Sequence, residues 1–274
     1  MKKIAPNKSL GQNFLTDKNI SAKIVKLLGE ISGENVIEIG PGMGALTDLL
    51  IELNANITAY DKDERSIIFL KEKYKEKTNF NVIWSDIRKV NLKNSFNNNK
   101  IYVIGNIPYN ISTDILFWLF EFSDIIKKAV LTVQREVAER LVAEIRTKDY
   151  GVTTVATKLY CDAKIKFHIP PAAFFPPPKV TSSVLLLDFE TSEISKNIPN
   201  EKKKRVMQLV RASFSQRRKM INNSIKQYIN QNNIDIKKIS EALAENNFNW
   251  LSQRAEELSV EDYIKFYDII NNNI

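Results

Sequence analysis

Residues 35–61 constrain the fold more than any other stretch. Val36, Ile37 and Ile39 mark a short apolar strand, Gly40-Pro41-Gly42-Met43-Gly44 a turn, and Ala45 to Leu53 an apolar-faced helix. A second strand, Ile57 to Tyr60, ends in Asp61. This is one βαβ unit, and it implies a parallel sheet. Glycine lets backbone approach a ligand closely where a Cβ would clash. An acidic residue about 20 positions beyond such a turn can accept from both hydroxyls of a ribose, and Asp61 stands there. Gly40-x-Gly42-x-x-Ala45 also satisfies the dinucleotide pattern, so the motif alone does not separate NAD from S-adenosylmethionine. A tight turn with a solvated Asp61 is the plain alternative.

Further apolar runs extend the sheet. Phe80 to Ile83 reads as a third strand followed by Trp84-Ser85-Asp86, and Ile101 to Ile104 as a fourth, fully buried one. Lys128 to Val133, Ala163 to Ile169 and Val180 to Phe189 supply the remaining strands. Helices are expected from the Thr16 or Asp17 cap to about Leu28. Others are expected after a Ser112 or Thr113 cap, over Gln134 to Ile145, and over residues 151–160. In the helix after Ser112, Ile115, Leu116, Leu119 and Phe120 face inward.

After the fourth strand comes Gly105-Asn106-Ile107-Pro108-Tyr109-Asn110-Ile111-Ser112-Thr113. Gly105 and Pro108 break the strand, so an amide, a proline and an aromatic ring are presented at one sheet edge. Ligands of open α/β sheets bind at that edge. The Asn106 side-chain oxygen and the Ile107 and Pro108 carbonyls are acceptors, and Tyr109 offers a face. Together they suit a flat ring with an exocyclic amine, such as adenine. The plain alternative is an Asn-Pro turn with Tyr109 packed locally.

Between the last two strands lies Pro170-Pro171-Ala172-Ala173-Phe174-Phe175-Pro176-Pro177-Pro178-Lys179-Val180. It is stiff and poor in N–H donors, and can hold Phe174 over a base opposite Tyr109. Buried phenylalanines in a rigid crossover are the alternative. Glu190 to Asn200 is a polar linker, dividing the chain into domains 1–192 and 193–274. Lys202 to Lys219 then contains eight basic residues and no acidic one. Val206, Leu209, Val210 and Phe214 form the buried stripe of its helix, and Arg211, Arg217, Arg218 and Lys219 can face outward as phosphate-binding donors; a merely solvated basic face is the plain alternative. Helices are also expected around 237–246 and 259–270.

The formal net charge of +8 favours a polyanionic partner, and Lys2, Lys3 and Lys8 make the N-terminus basic. The single cysteine, Cys161, excludes an intramolecular disulfide and a cysteine zinc site, and fits a reducing compartment. His168 reads as a structural histidine. No apolar run is long enough to span a membrane, and no metal site is expected.

Asn106-Ile107-Pro108-Tyr109 resembles the catalytic motif of adenine-N6 methyltransferases. The longer Gly-Asn-Ile-Pro-Tyr-Asn-Ile-Ser-Thr resembles the ribosomal RNA adenine dimethyltransferases. Gly11-Gln12-Asn13-Phe14-Leu15, Glu38-Ile39-Gly40-Pro41-Gly42, Gln134-Arg135-Glu136-Val137-Ala138-Glu139-Arg140-Leu141 and the proline-rich loop resemble the same family. The resemblance implies an α/β fold of the class I S-adenosylmethionine-dependent methyltransferases. That fold is Rossmann-like, with a seven-stranded mixed sheet and a small helical C-terminal domain contributing to RNA binding. It implies S-adenosylmethionine as cofactor, contacted by Asn13, Leu15, Gly40, Asp61, Asp86 and Asn106. Asp61 replaces the Glu common at that position. Asn106, Pro108, Tyr109 and Phe174 would be catalytic. The small-subunit branch dimethylates two adjacent adenines near the 3′ end of small-subunit ribosomal RNA. A cytoplasmic monomer acting on the RNA or a pre-30S particle is the expectation. The rival readings are the large-subunit, macrolide-resistance branch and a non-catalytic assembly factor of the same fold.

Overall fold

The computed structural model describes residues 4–7 and 10–273, so Lys2, Lys3 and Lys8 lie outside the described residues. The chain forms two compact units, Met1–Glu139 with Asp162–Thr191, and Arg140–Cys161 with Ser192–Ile274. The segment 140–161, read from sequence as part of the first domain, groups with the second unit.

The strands of the first unit are β1 (Phe14–Leu15), β2 (Asn35–Ile39), β3 (Asn56–Asp61), β4 (Phe80–Trp84) and β5 (Ile101–Asn106). They continue with β6 (Ile126–Gln134), β7 (Asp162–Ile169), β8 (Phe174–Phe175) and β9 (Ser182–Asp188). Seven of them form one sheet in the order β4-β3-β2-β5-β6-β9-β7. The first five in that order are parallel, and β9 runs antiparallel between β6 and β7. The strand order reverses between β2 and β5, which is where such sheets open a ligand crevice. β1 and β8 make a separate antiparallel pair, with Phe14 opposite Phe175 and Leu15 opposite Phe174.

The helices of this unit are α1 (Lys18–Lys26), α2 (Thr47–Glu52), α3 (Glu64–Lys73), α4 (Leu92–Phe96) and α5 (Ser112–Glu121). A further helix, α6 (Arg135–Leu141), runs out of it. The Asp17 carboxylate accepts from the Asn19 and Ile20 N–H groups and starts α1, a cap worth roughly 1 kcal/mol. Ile24, Val25 and Leu28 then pack with Leu50 against Val36, Ile104, Val130 and Val184 of the sheet. Ile37, Val103 and Leu131, of opposite strand parity, are fully buried too, as a sheet covered on both faces requires.

Two local expectations change. Gly105 does not break β5; it lies inside the strand, and a Cβ there would meet the Ile39 carbonyl oxygen at 2.6 Å. Glycine is needed for the close approach of β5 to β2. Ser112 is the first residue of α5 rather than its cap. Its hydroxyl donates instead to the Pro108 carbonyl at 3.3 Å.

The second unit is helical: α7 (Val152–Tyr160), α8 (Glu193–Lys196), α9 (Asn200–Phe214), α10 (Ile221–Ser224), α11 (Lys226–Gln231), α12 (Ile236–Glu245) and α13 (Val260–Asn272). Val206, Leu209 and Val210 are buried as expected. The half-buried Phe214 ring lies 6.3 Å from the centroids of both Tyr150 and Tyr263. The two phenols donate to the Leu258 and Ala255 carbonyls at 2.8 Å, which satisfies their buried hydroxyls. Tyr150 is thus one residue that ties segment 140–161 to the C-terminal helices. Among the described residues, no helix is long and apolar enough to cross a membrane, and no acidic, histidine and cysteine cluster could hold a metal.

Candidate active site

One cavity gathers the C-terminal ends of β2, β3, β4 and β5. Its wall includes Gly40, Asp61, Asp86, Asn106, Pro108 and Tyr109, together with Gly11 to Phe14 from the N-terminal strap. Apolar wall comes from Ile87, Ile107 and Ile115. Carboxylates at two neighbouring strand ends with apolar side chains beside them suit an adenosine group: acceptors for hydroxyls and amine, greasy walls for the ring. The Gly-rich turn is shaped for close approach. Gly42 has φ +56°, and a Cβ on it would lie 2.8 Å from two carbons of the Phe14 ring. The strap can therefore lie on the turn only because position 42 is glycine.

Asp61 ends β3. Its two oxygens accept from the Gly42 N–H at 3.3 Å and the Asp63 N–H at 2.9 Å. Burial raises its pKa, and these backbone donors oppose that rise. Asp86 lies in the same wall, but four donors converge on it. Arg88 gives its backbone N–H, Nε and Nη2 at 3.2, 3.0 and 2.8 Å, and the Lys62 ammonium is 3.3 Å away. The Arg88 guanidinium holds the Asp86 carboxyl far below the usual carboxylate range. A ligand amine reaching Asp86 has to displace one of these donors, and the half-exposed Lys62 is the loosest.

Asn106 ends β5, and its side-chain orientation is fixed. Nδ2 donates to the Asn13 main-chain carbonyl at 2.8 Å. With the donor committed, Oδ1 is the atom left to accept from a ligand. Pro108 does not present the acceptor expected of it. Its carbonyl accepts from the Ile111 N–H at 3.2 Å and the Ser112 hydroxyl at 3.3 Å, which uses both lone pairs. The neighbouring Ile107 lines the cavity as well. The Tyr109 hydroxyl is hydrogen-bonded to that of Ser182, at the start of β9, at 2.5 Å. Burial pushes the phenol's pKa up.

Burial bears on two assignments. Phe174 is only 3% exposed and belongs to the apolar core beside Leu15, Ile169 and Val184. It cannot face a base opposite Tyr109 without leaving that core. Its neighbour Phe175 is 59% exposed. The Leu15 side chain likewise lies in the core, and the residue borders a small hollow shared with Gly40 and Asn106. The burial of both side chains has one cause. Leu15 and Phe174 pair across the β1–β8 ladder and face the same way, a long-range pairing that neither motif announces.

Of the basic residues, Arg211, Arg218 and Lys219 are exposed. Arg217 is engaged inside the second unit: Nε meets Glu256 at 2.6 Å and Nη2 donates to the Thr147 carbonyl at 3.1 Å. His168 pairs through Nδ1 with the Ser183 hydroxyl at 2.9 Å, as a structural histidine does.

Three groups escaped the sequence reading. Gln12 donates to Asp63 at 2.8 Å, and Arg65 grips the same carboxylate while also reaching the Ala5 carbonyl at 3.2 Å. This clamp holds the strap, and Asp63, two residues beyond Asp61, was its one legible signal. Ser182 supports Tyr109. Glu38 lies 1% exposed beneath the turn and accepts from the Thr47 hydroxyl at 2.6 Å. Burial, its largest influence, pushes the Glu38 pKa up to about 7.

The chain resembles known proteins along nearly its whole length. The family model described as ribosomal RNA adenine dimethylase matches residues 4–272. A ribosomal RNA small subunit methyltransferase A from Chlorobaculum parvum is 39% identical, over 97% of this chain and 89% of the relative. One from Mycoplasma mobile is 38% identical, over 96% and 97%. Among solved structures, a dimethyladenosine transferase from Plasmodium falciparum has a TM-score of 0.79 at 27% identity, covering 95% of this chain and 98% of that one. The 23S rRNA methyltransferase ErmE shares the fold, with a TM-score of 0.68 at 23% identity over 94% of this chain and all of that one.

Proposed function

Because the chain belongs to the ribosomal RNA adenine dimethylase family, we propose that it methylates N6 of two adjacent adenines near the 3′ end of small-subunit ribosomal RNA. The observation that carries this reading is the Asn106 amide, whose Nδ2 is held by the Asn13 carbonyl so that Oδ1 is left to accept in the wall of the cavity that also holds Asp61 and Asp86. The naming of the relatives supports the small-subunit assignment. The finer reading is a cytoplasmic monomer acting on the RNA or a pre-30S particle.

When bound, S-adenosylmethionine supplies an electrophilic methyl group. Asp61 would take the ribose hydroxyls, Gly40 and Asn13 the approach to the turn, and Asp86 the adenine amine. The chain's remaining task is to orient the acceptor nitrogen. Asn106 Oδ1 and the Ile107 carbonyl accept its two hydrogens, which draws the nitrogen lone pair out of conjugation with the ring. Tyr109, tethered by Ser182, offers its ring to the base. Held this way, the N6 lone pair would be aimed at the donor's methyl carbon; the S–C bond broken in the transfer would leave the donor's sulfur as a neutral thioether, and one N6 proton would pass to solvent. Alignment and water exclusion are the main sources of rate. Arg211, Arg218 and Lys219 would meet phosphates, with Arg217 shared between RNA and Glu256.

The test is mass spectrometry of ribosomal RNA after incubation with a labelled donor, mapping both subunits' RNA. Label on two adjacent adenines near the small-subunit 3′ end is expected. Label confined to large-subunit RNA would overturn the subunit assignment. No label at all would leave only the assembly-factor reading.

A further inference from the structure

Two cations meet the Asp86 carboxylate, and they differ in how firmly they are themselves held. Arg88 takes both oxygens: its backbone N–H and Nε donate to Oδ1, and its Nη2 donates to Oδ2. Its Nη1 donates to Asp114 at 2.7 Å, so the guanidinium is pinned from two sides. The Lys62 ammonium lies 3.3 Å from Oδ2, an oxygen that Arg88 already serves at 2.8 Å. The Lys62 side chain is 48% exposed.

The Lys62 backbone, unlike its side chain, is fixed. Its carbonyl accepts from the Trp84 Nε1–H at 3.1 Å, and the preceding Asp61 carbonyl accepts from the Ser85 N–H at 3.0 Å. The residue therefore stays in the cavity wall beside Asp61, while its flexible four-carbon stem can swing. Asp86 does not depend on it. Arg88 supplies the other three donors and is the main cause of the carboxyl's depressed pKa. A half-exposed ion pair is also worth little as a stabiliser. Lys62 is better explained as a movable donor at the place where Asp86 meets a ligand.

Exchange at this oxygen has two chemical outcomes. A ligand amine approaching Oδ2 replaces the ammonium as donor, and Lys62 withdraws into water. A ligand carbonyl finds no donor in Asp86, but it can accept from the ammonium left in place. We propose that Lys62 is a specificity-determining residue of the methyl-donor site: it cedes Asp86 to a 6-aminopurine and stays to serve a 6-oxopurine. The native site therefore tells an adenosine ligand from an inosine ligand less sharply than Asp86 alone would. The proposal rests on the placement of the methyl donor's adenine amine at Asp86 and deepens it. Asp86 supplies the preference for the amine, and Lys62 sets how steep that preference is.

The experiment is calorimetric titration of the full chain with S-adenosyl-L-homocysteine and with S-inosyl-L-homocysteine, which carries a 6-oxo group in place of the amine. Lys62→Met keeps the length of the stem and removes the ammonium. It should bind the adenosine ligand about 2- to 5-fold more tightly, the worth of one exposed ion pair. It should bind the inosine ligand about 2- to 12-fold more weakly, the worth of one hydrogen bond. The ratio of the two Kd values should thus widen by about 4- to 60-fold, with Tm at the wild-type value. Lys62→Ala should behave as Lys62→Met does, and Lys62→Arg, which restores a donor, should return the ratio toward wild type. Raising salt from about 50 to about 500 mM screens the pair, and should favour the adenosine ligand in the wild type relative to Lys62→Met. A Kd ratio within about twofold of wild type in both Lys62→Met and Lys62→Ala would overturn the proposal. Unchanged adenosine affinity in Asp86→Ala would instead sink the placement of the amine at Asp86.

Discussion

Aspartate at position 106 keeps the shape of the amide and removes its donor. In the native chain Nδ2 donates to the Asn13 carbonyl at 2.8 Å. Asn106→Asp places an oxygen where that nitrogen stood. The lost hydrogen bond is worth about 1 kcal/mol, and leaving the carbonyl unpaired against a desolvated carboxylate adds about 1–3 kcal/mol. Their sum, about 2–4 kcal/mol, opposes the oriented state, so transfer should slow by about 30- to 900-fold. The assay is single-turnover transfer of labelled methyl at saturating donor and RNA, near pH 8. The defect should also titrate. Desolvation and the facing carbonyl raise the new carboxyl's pKa, and below that pKa the neutral acid can donate its O–H to the Asn13 carbonyl. The variant should therefore recover as pH falls, while the wild type should not. A rate within about threefold of wild type near pH 8, or a defect that deepens in acid, would refute the orientation argument.

Glu38→Gln should stabilise the protein increasingly as pH rises. With the native carboxyl raised from 4.5 to about 7 by burial, wild-type stability is lost between those values, a change of about 3 kcal/mol. Tm measured across that window should show the variant gaining on the wild type, and a pH-independent difference would contradict the buried charge. Ser182→Ala and Tyr109→Phe should each slow methyl transfer about 3- to 10-fold, as loss of one hydrogen bond predicts. The double variant should be no slower than either single one, and additive losses would mean that Ser182 acts elsewhere. Arg218→Ala and Lys219→Ala should each reduce the salt slope of RNA binding by about one unit. Arg217→Ala should change it less and lower Tm, because Arg217 is already paired with Glu256; equal slopes across the three would place Arg217 on the RNA.

Elements that announce themselves through local periodicity were legible before any coordinates. Asp61, Asp86 and Asn106 each follow an apolar run, and a parallel sheet brings such strand ends to one edge. What the chain's pattern hid was pairing over long sequence distances. Phe174 and Phe175 are indistinguishable by composition, and only the ladder with Phe14 and Leu15 decides which is buried. Arg217 looked free because its partner, Glu256, is 39 residues away. The Pro108 carbonyl looked available because no pattern shows that α5 begins by folding Ser112 back onto it. Segment 140–161 follows the fifth parallel strand of the sheet, yet its Tyr150 is bonded to Leu258. In each case a hydrogen-bonding group or a ring found a partner that spacing cannot reveal.

The group that aims Asn106 is a main-chain oxygen. Every amino acid at position 13 carries that oxygen, so no single replacement there deletes the acceptor. Drift at this site can weaken whatever the Asn13 side chain does while the reactive amide keeps its bearing. Shortening or lengthening the strap by one residue would do what no replacement can, by moving the oxygen itself.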